Sequence, residues 1–145
     1  MLKKNIITLM MLIFFTVSGF TAAAENGSPV CSRLNEKASG EALKYSLEAE
    51  ANGALYFQGI SCAIEFRNRE LCAMEMVSFD TTGKVYDFYT AEKIDIAKAY
   101  FWLDDKNEYI PILAFSTKES AEKYNAQTKG GVILDYSGLT DKLLK

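Results

Sequence analysis

Soft sulfur is the chemistry this chain could carry. Its 145 residues include three cysteines, five methionines and no histidine, and the stretch "LCAMEM", from Leu71 to Met76, sets Cys72, Met74 and Met76 at alternate positions. Cuprous ion accepts thiolate and thioether ligands at low coordination number, so cysteine and methionine can hold it without imidazole. Those ligands must converge. On a strand, residues 72, 74 and 76 point the same way; on a helix, Cys72 and Met76 share a face and Met74 turns away. Ordinary packing competes with this reading, because methionine fills irregular cores and cysteine is among the most buried residue types.

The cysteine count adds a second constraint. Three cysteines allow one disulfide, 31–62, 31–72 or 62–72, or none, and an odd one left over is free, joined to another molecule or bound to metal. An unpaired thiolate in an oxidising compartment is open to oxidation, so it is either well buried or used. Other chemistry falls away. Without histidine there is no catalytic triad, no Cys-His pair and no histidine-based zinc motif, and no glycine-rich phosphate loop is present. Asp104 and Asp105 follow "FWL", but adjacent residues at a strand end face opposite sides, and "DDKNE" reads as a solvated turn. Nothing calls for an enzyme.

The elements that must position the sulfurs begin after a leader. Lys3 and Lys4 precede an apolar run from Ile6 to Phe15 and a small-residue exit, "TAAA", the pattern of a signal peptide over residues 1–24 with cleavage after Ala24. The run is short for a membrane span, and "SPV" before Cys31 lacks the small residues that precede a lipidated cysteine. The expectation is a soluble periplasmic protein with no membrane contact after cleavage. The whole chain carries a formal charge of −3, and the leader takes away lysines and no acids, so the mature chain is more acidic still. Nucleic acid and anionic lipid are therefore poor partners, since clustered Lys and Arg bind both. The length suffices for one core and one domain.

Residues 25–40 are polar and small and read as a flexible arm. Over 41–60, Leu43, Tyr45 and Leu47 and then Leu55, Phe57 and Ile60 flank "ANGA", and alternation on either side of Asn-Gly predicts a hairpin; a short helix over "GEALKYSLEAEA" is the rival. A helix begins near Ser61, with "EFRNRE" facing water, and "LCAMEM" either extends the helical region or forms a buried strand. "DTTGK" is a turn, "VYDFYT" a strand, and a polar connection leads to a strand from about Lys98 to Leu103. Tyr86, Phe88, Tyr89, Tyr100, Phe101 and Trp102 read as sheet core and cross-strand pairs. Pro111 opens a short extended "ILAF". Ser116 as N-cap with Glu119 three residues on predicts a capping box, and Gly130 and Gly131 the stop of that helix. "VILDY" is a strand and "SGLTDKLLK" a terminal helix. The fold class is α+β, one small domain of two strand-helix-strand halves with antiparallel or mixed sheet.

Three stretches, "LYFQGISCAI", "VYDFYTAEKIDIAKAYF" and "AFSTKESAEKYNAQTKGGVILDYSGL", in this order over roughly residues 55–139, resemble the NosL family, copper-binding accessory proteins of nitrous oxide reductase maturation. The resemblance implies an exported domain of two strand-helix-strand halves that holds one cuprous ion, Cu(I), and passes it to a copper-receiving or assembly protein in the periplasm. The departures fall on the family's site. Cys31 alone stands where the family has a paired-cysteine stretch. Cys62 keeps the cysteine of the glycine-cysteine-methionine motif, but Ser61 replaces the glycine and Ala63 the methionine. "PILAF" keeps Pro111 and loses the ligand methionine. Metal binding would then draw on Cys62, Cys72, Met74 and Met76. The alternative is a metal-free scaffold or protein-interaction module that kept the fold, with Cys62 as half of a disulfide.

Overall fold

The computed structural model describes residues 31–108, 110–128 and 130–144. The expected leader, residues 1–24, and the first part of the expected arm, 25–30, lie outside the described residues.

The Asn-Gly hairpin forms. Strands β1 (Ser32–Leu34), β2 (Ser46–Glu50), β3 (Ala54–Gln58), β4 (Lys84–Tyr86) and β5 (Lys93–Asp95) make an antiparallel sheet in the order β1-β3-β2-β4-β5. Asn52 and Gly53 take positive φ at the β2–β3 turn. The first strand of the hairpin starts later than its alternation predicts, because Gly40–Tyr45 winds into a 3-10 turn. "SLEAE" then runs as a strand despite its helix-forming composition. Period-two burial explains why: Leu47 and Ala49 enter the core while Glu48 faces the other side.

Residues 32–34 correct the expected arm. They pair with Gln58, Phe57 and Tyr56, and Cys31 is bonded to Cys62 with their Cα atoms 5.0 Å apart. The domain therefore includes residues before 41. The cause is a long-range cross-link that local composition does not display.

Helix α1 (Ile60–Glu70) and helix α2 (Ala73–Thr82) cover one face of this sheet. Leu47, Leu55, Phe57 and Val85 meet Ile60, Ala63, Ile64 and Phe79 there. Helix α2 settles the "LCAMEM" question in favour of helix, and it consumes most of the expected "DTTGK" turn. Gly83 alone separates it from β4, with the Gly83 N–H donating to the Phe79 carbonyl at 2.8 Å.

The second half is a three-stranded antiparallel sheet, β7-β6-β8, made of β6 (Tyr100–Leu103), β7 (Leu113–Phe115) and β8 (Val132–Leu134), with helices α3 (Lys118–Thr128) and α4 (Tyr136–Lys142). Strand β6 is apolar on both faces. Phe101 and Leu103 join the main core with Leu139 of α4, whereas Trp102 turns to the opposite side with Leu113, Phe115 and Ala121 of α3. The double glycine after α3 has a packing reason. Gly131 has φ +118° and lies against the Trp102 indole where a Cβ would collide, and the indole N–H donates to Asn125 and to the Gly130 carbonyl.

Asp87 joins the two sheets. Sequence predicted "VYDFYT" as one strand, but the strand ends at Tyr86, and Asp87 makes a single parallel bridge to Ala114. Its side chain is 1% exposed. One carboxylate oxygen accepts from the Tyr89 and Thr90 N–H groups, closing a local turn, and the other accepts from the Ser116 N–H at 2.7 Å and the Ser116 hydroxyl at 2.8 Å. Ser116 is thereby drawn off the role predicted for it. The Ser120 N–H is capped by Thr117 Oγ1 instead, so the helix start shifts by one residue. Burial pushes the Asp87 carboxyl up, but the Ser116, Thr90 and Tyr89 donors outweigh it and hold the group below its usual value. A carboxylate with a lowered folded pKa stabilises fully above its unfolded value, about 3.9, and loses that contribution as pH falls through the folded value. Asp87→Asn keeps the volume but turns an amide NH2 toward donors. It should cost about 2–4 kcal/mol at pH 7 in urea denaturation and flatten the fall of stability below about pH 4.

Candidate functional site

The structure places the four predicted sulfurs at opposite ends of a helix. Cys62 lies in the first turn of α1 and Cys72 follows its C-terminus. From Cys62 to Glu70 the helix axis advances roughly 12 Å at 1.5 Å per residue. Metal–sulfur bonds of about 2.3 Å need ligand sulfurs within about 4–5 Å of each other. Cys62 is moreover bonded to Cys31, and a disulfide sulfur is not a thiolate. The set Cys62, Cys72, Met74 and Met76 is therefore not brought together.

Within α2 the helical spacing decides the remainder. Cys72 is the N-cap residue of a capping box: its side chain accepts from the Glu75 N–H, and the Glu75 carboxylate accepts from the Cys72 N–H at 3.0 Å. Cysteine thus stands where serine or threonine usually sits. Cys72 is free and exposed. Met76, one turn on, is half-buried, and Met74 turns outward at 84% exposure. Both readings of Met74 are corrected: it is neither a buried core residue nor convergent with the other sulfurs. Among the described residues, no group of three or more His, Cys, Asp or Glu side chains could hold a metal ion.

Two polar constellations were missing from the sequence reading. The first lies on the sheet face opposite the helices, where β2, β4 and β5 turn Glu48, Lys84, Tyr86, Lys93 and Asp95 outward through the registers Glu48↔Lys84, Lys84↔Asp95 and Tyr86↔Lys93. Glu48 is ion-paired with Lys93 at 2.5 Å and with Lys37 at 3.4 Å, and both ammoniums sit over the Tyr86 ring, 5.9 and 5.4 Å from its centroid. Burial raises the Glu48 pKa, but the two lysines outweigh it and the net direction is down. Lys84 pairs with Asp95, whose exposed carboxyl is held at about 2 by Lys84 and Lys98. A groove of about 460 Å³ opens beside these groups, lined in part by Glu48, Tyr56, Thr82, Lys84 and Lys93. Its lysines and Glu48 are already paired with protein charges. The lattice is therefore suited to an edge-protected sheet surface more than to capture of a charged small molecule.

The second constellation clamps three helices. Arg67 of α1 makes a bidentate pair with Asp80 of α2 through N–O distances of 2.6 and 2.5 Å, and the Tyr136 hydroxyl of α4 donates to the same carboxylate. Burial, then Asp80, drives the Tyr136 pKa upward, so its hydroxyl stays protonated as a donor. The signal in the sequence is slight, because the partners are 13 and 56 residues apart.

Comparison of the chain with models of protein families, with curated proteins and with solved structures finds no match.

The exposure of α2 makes a mutational contrast. Met74→Asp and Val77→Asp, at positions 84% and 63% exposed, should each change stability by no more than about 0.5 kcal/mol. Phe79→Ala on the buried side of the same helix should cost about 3–5 kcal/mol. Urea denaturation followed by circular dichroism distinguishes the two; a large loss from Met74→Asp would contradict the outward placement.

Proposed function

We propose that this protein is a NosL-like accessory domain of the periplasm that kept the two-halved scaffold, lost the copper site and acts as an interaction module for a partner protein. The observation that carries this reading is the fate of Cys62. The cysteine that the resemblance makes a copper ligand is bonded to Cys31 and lies at the other end of α1 from Cys72. Without it, the remaining sulfurs are one exposed thiol and two thioethers on diverging sides of a short helix, a poor set for a cuprous ion.

What supports interaction as the remaining role is the surface. The outward side of α2 carries Met74, Val77 and the Cys72 thiol, and large apolar side chains exposed together are a feature of contact surfaces. The Arg67–Asp80–Tyr136 clamp holds α1, α2 and α4 in one arrangement around that side, and a preorganised surface loses less entropy on association.

The test has two arms. The oxidised mature chain, mixed with Cu(I) and a chromogenic chelator, should leave the chelator's colour unchanged; stoichiometric withdrawal of copper that Cys72→Ser and Met76→Leu abolish would restore the copper reading. In the exporting cell, a photo-reactive residue at position 74 should give one discrete adduct, and Val77→Asp should remove it. Absence of any adduct from position 74 would contradict a contact at this surface.

A further inference from the structure

The Cys31–Cys62 bond has features of a bond made to be broken. Cys31 is an exposed residue and Cys62 a half-buried one packed on the core, so Cys31 is the side of the bond open to an attacking thiolate. Cys62 sits in the first turn of the eleven-residue helix α1, whose N-cap is Gly59, with no side-chain cap and no acidic residue in that turn. The first N–H groups of a helix have no partner within the helix, and together with its dipole they favour a negative charge there. A thiolate leaving from Cys62 is thus stabilised, and a better leaving thiolate speeds exchange. Exposed disulfides are also the more readily reduced ones.

The strand that this bond anchors is held lightly by everything else. Strand β1 has three residues, and the side chains of Ser32 and Arg33 are exposed. It occupies the edge of its sheet and pairs only with Tyr56–Gln58 of β3, while β3 pairs along its full length with β2 on the other side. Beyond that ladder its contacts include the Arg33 guanidinium 5.3 Å from the Phe66 ring centroid. The main core draws its buried residues from other segments. Removal of β1 would leave four paired strands, β3-β2-β4-β5, with their ladder intact.

We infer that Cys31–Cys62 is a redox latch on the first strand: a dithiol reductant opens it in the folded protein, and β1 comes free of β3 while the rest of the domain stays folded. The step balances. A thiolate of the dithiol attacks Cys31 Sγ, the Cys31–Cys62 bond breaks, and Cys62 departs as a thiolate that then takes up a proton. The second thiol of the reductant attacks its own sulfur in the mixed disulfide and releases Cys31. Two electrons and two protons pass from the dithiol, which becomes a cyclic or protein disulfide, to the two cysteines.

The test uses the mature chain, dithiothreitol as the dithiol, and hydrogen exchange read by mass spectrometry. Reduction should be first order in dithiothreitol and independent of urea below the unfolding transition, and afterwards the amides of residues 32–34 should exchange at least tenfold faster while those of β6 keep their protection. Ser61→Asp, which places a carboxylate in the first turn of α1, should slow reduction several-fold. A reduction rate that climbs with urea in step with global unfolding would overturn the latch. So would unchanged exchange at 32–34 after reduction, or loss of β6 protection along with it, since the bond would then be a staple of the whole fold. An unchanged rate in Ser61→Asp would overturn the leaving-group argument.

Discussion

One buried carboxylate joins the two halves of this domain. Asp87 ends β4, closes the turn that follows, and binds Ser116 at the end of β7, so a single ionised group ends a strand of one sheet and holds the residue that leads into the helix covering the other. Burying a charge is costly unless donors replace the water it loses. Here four donors do so, two from its own turn and two from a residue 29 positions away. The local pair shapes the chain's exit from β4, and the distant pair holds the sheets in register. The backbone bond from the Phe88 N–H to the Ala114 carbonyl runs beside it. Both sheets then share one core, with Phe101, Leu103 and Ala114 packed among residues of the first sheet and α1.

Much of the architecture was legible because it rests on local rules. The hairpin follows from Asn-Gly between alternating segments, α1 from its apolar spacing, the end of α3 from a double glycine, and β8 from a short apolar run. The misreadings have two causes, competition from a distant partner and local side-chain bonds that composition does not rank. Ser116 has the composition of an N-cap, yet Asp87 takes its hydroxyl and Thr117 caps the helix. "VYDFYT" has the composition of a strand, yet the same aspartate turns it after Tyr86 through its bonds to the Tyr89 and Thr90 N–H groups. β5 is too short to show a period and exists through its pairing with β4. "LCAMEM" was ambiguous in periodicity alone, but the spacing of Cys72 and Glu75 carried the deciding signal: it is that of a capping box with cysteine in the place of serine.

The sulfur site was legible as composition and illegible as geometry. Alternate positions suggested convergence, which holds on a strand and fails on a helix. The disulfide could not be chosen from three cysteines, and the chosen pair removes Cys62 from metal chemistry while fixing residues that looked like a loose arm. The charges on the open sheet face belong to the same lesson. Glu48, Lys37 and Lys93 are unremarkable in sequence: Glu48 and Lys93 meet because β2 and β5 flank β4 in the sheet, and Lys37 reaches Glu48 from the segment after β1.

The functional account turns on which sulfur partners which. Peptide mapping of the native chain, alkylated without reduction and read by mass spectrometry, measures this directly. The account predicts a linked peptide pair containing Cys31 and Cys62 and a single alkylated residue, Cys72. Alkylation of Cys62 in the native protein, or a link between Cys62 and Cys72, would contradict it.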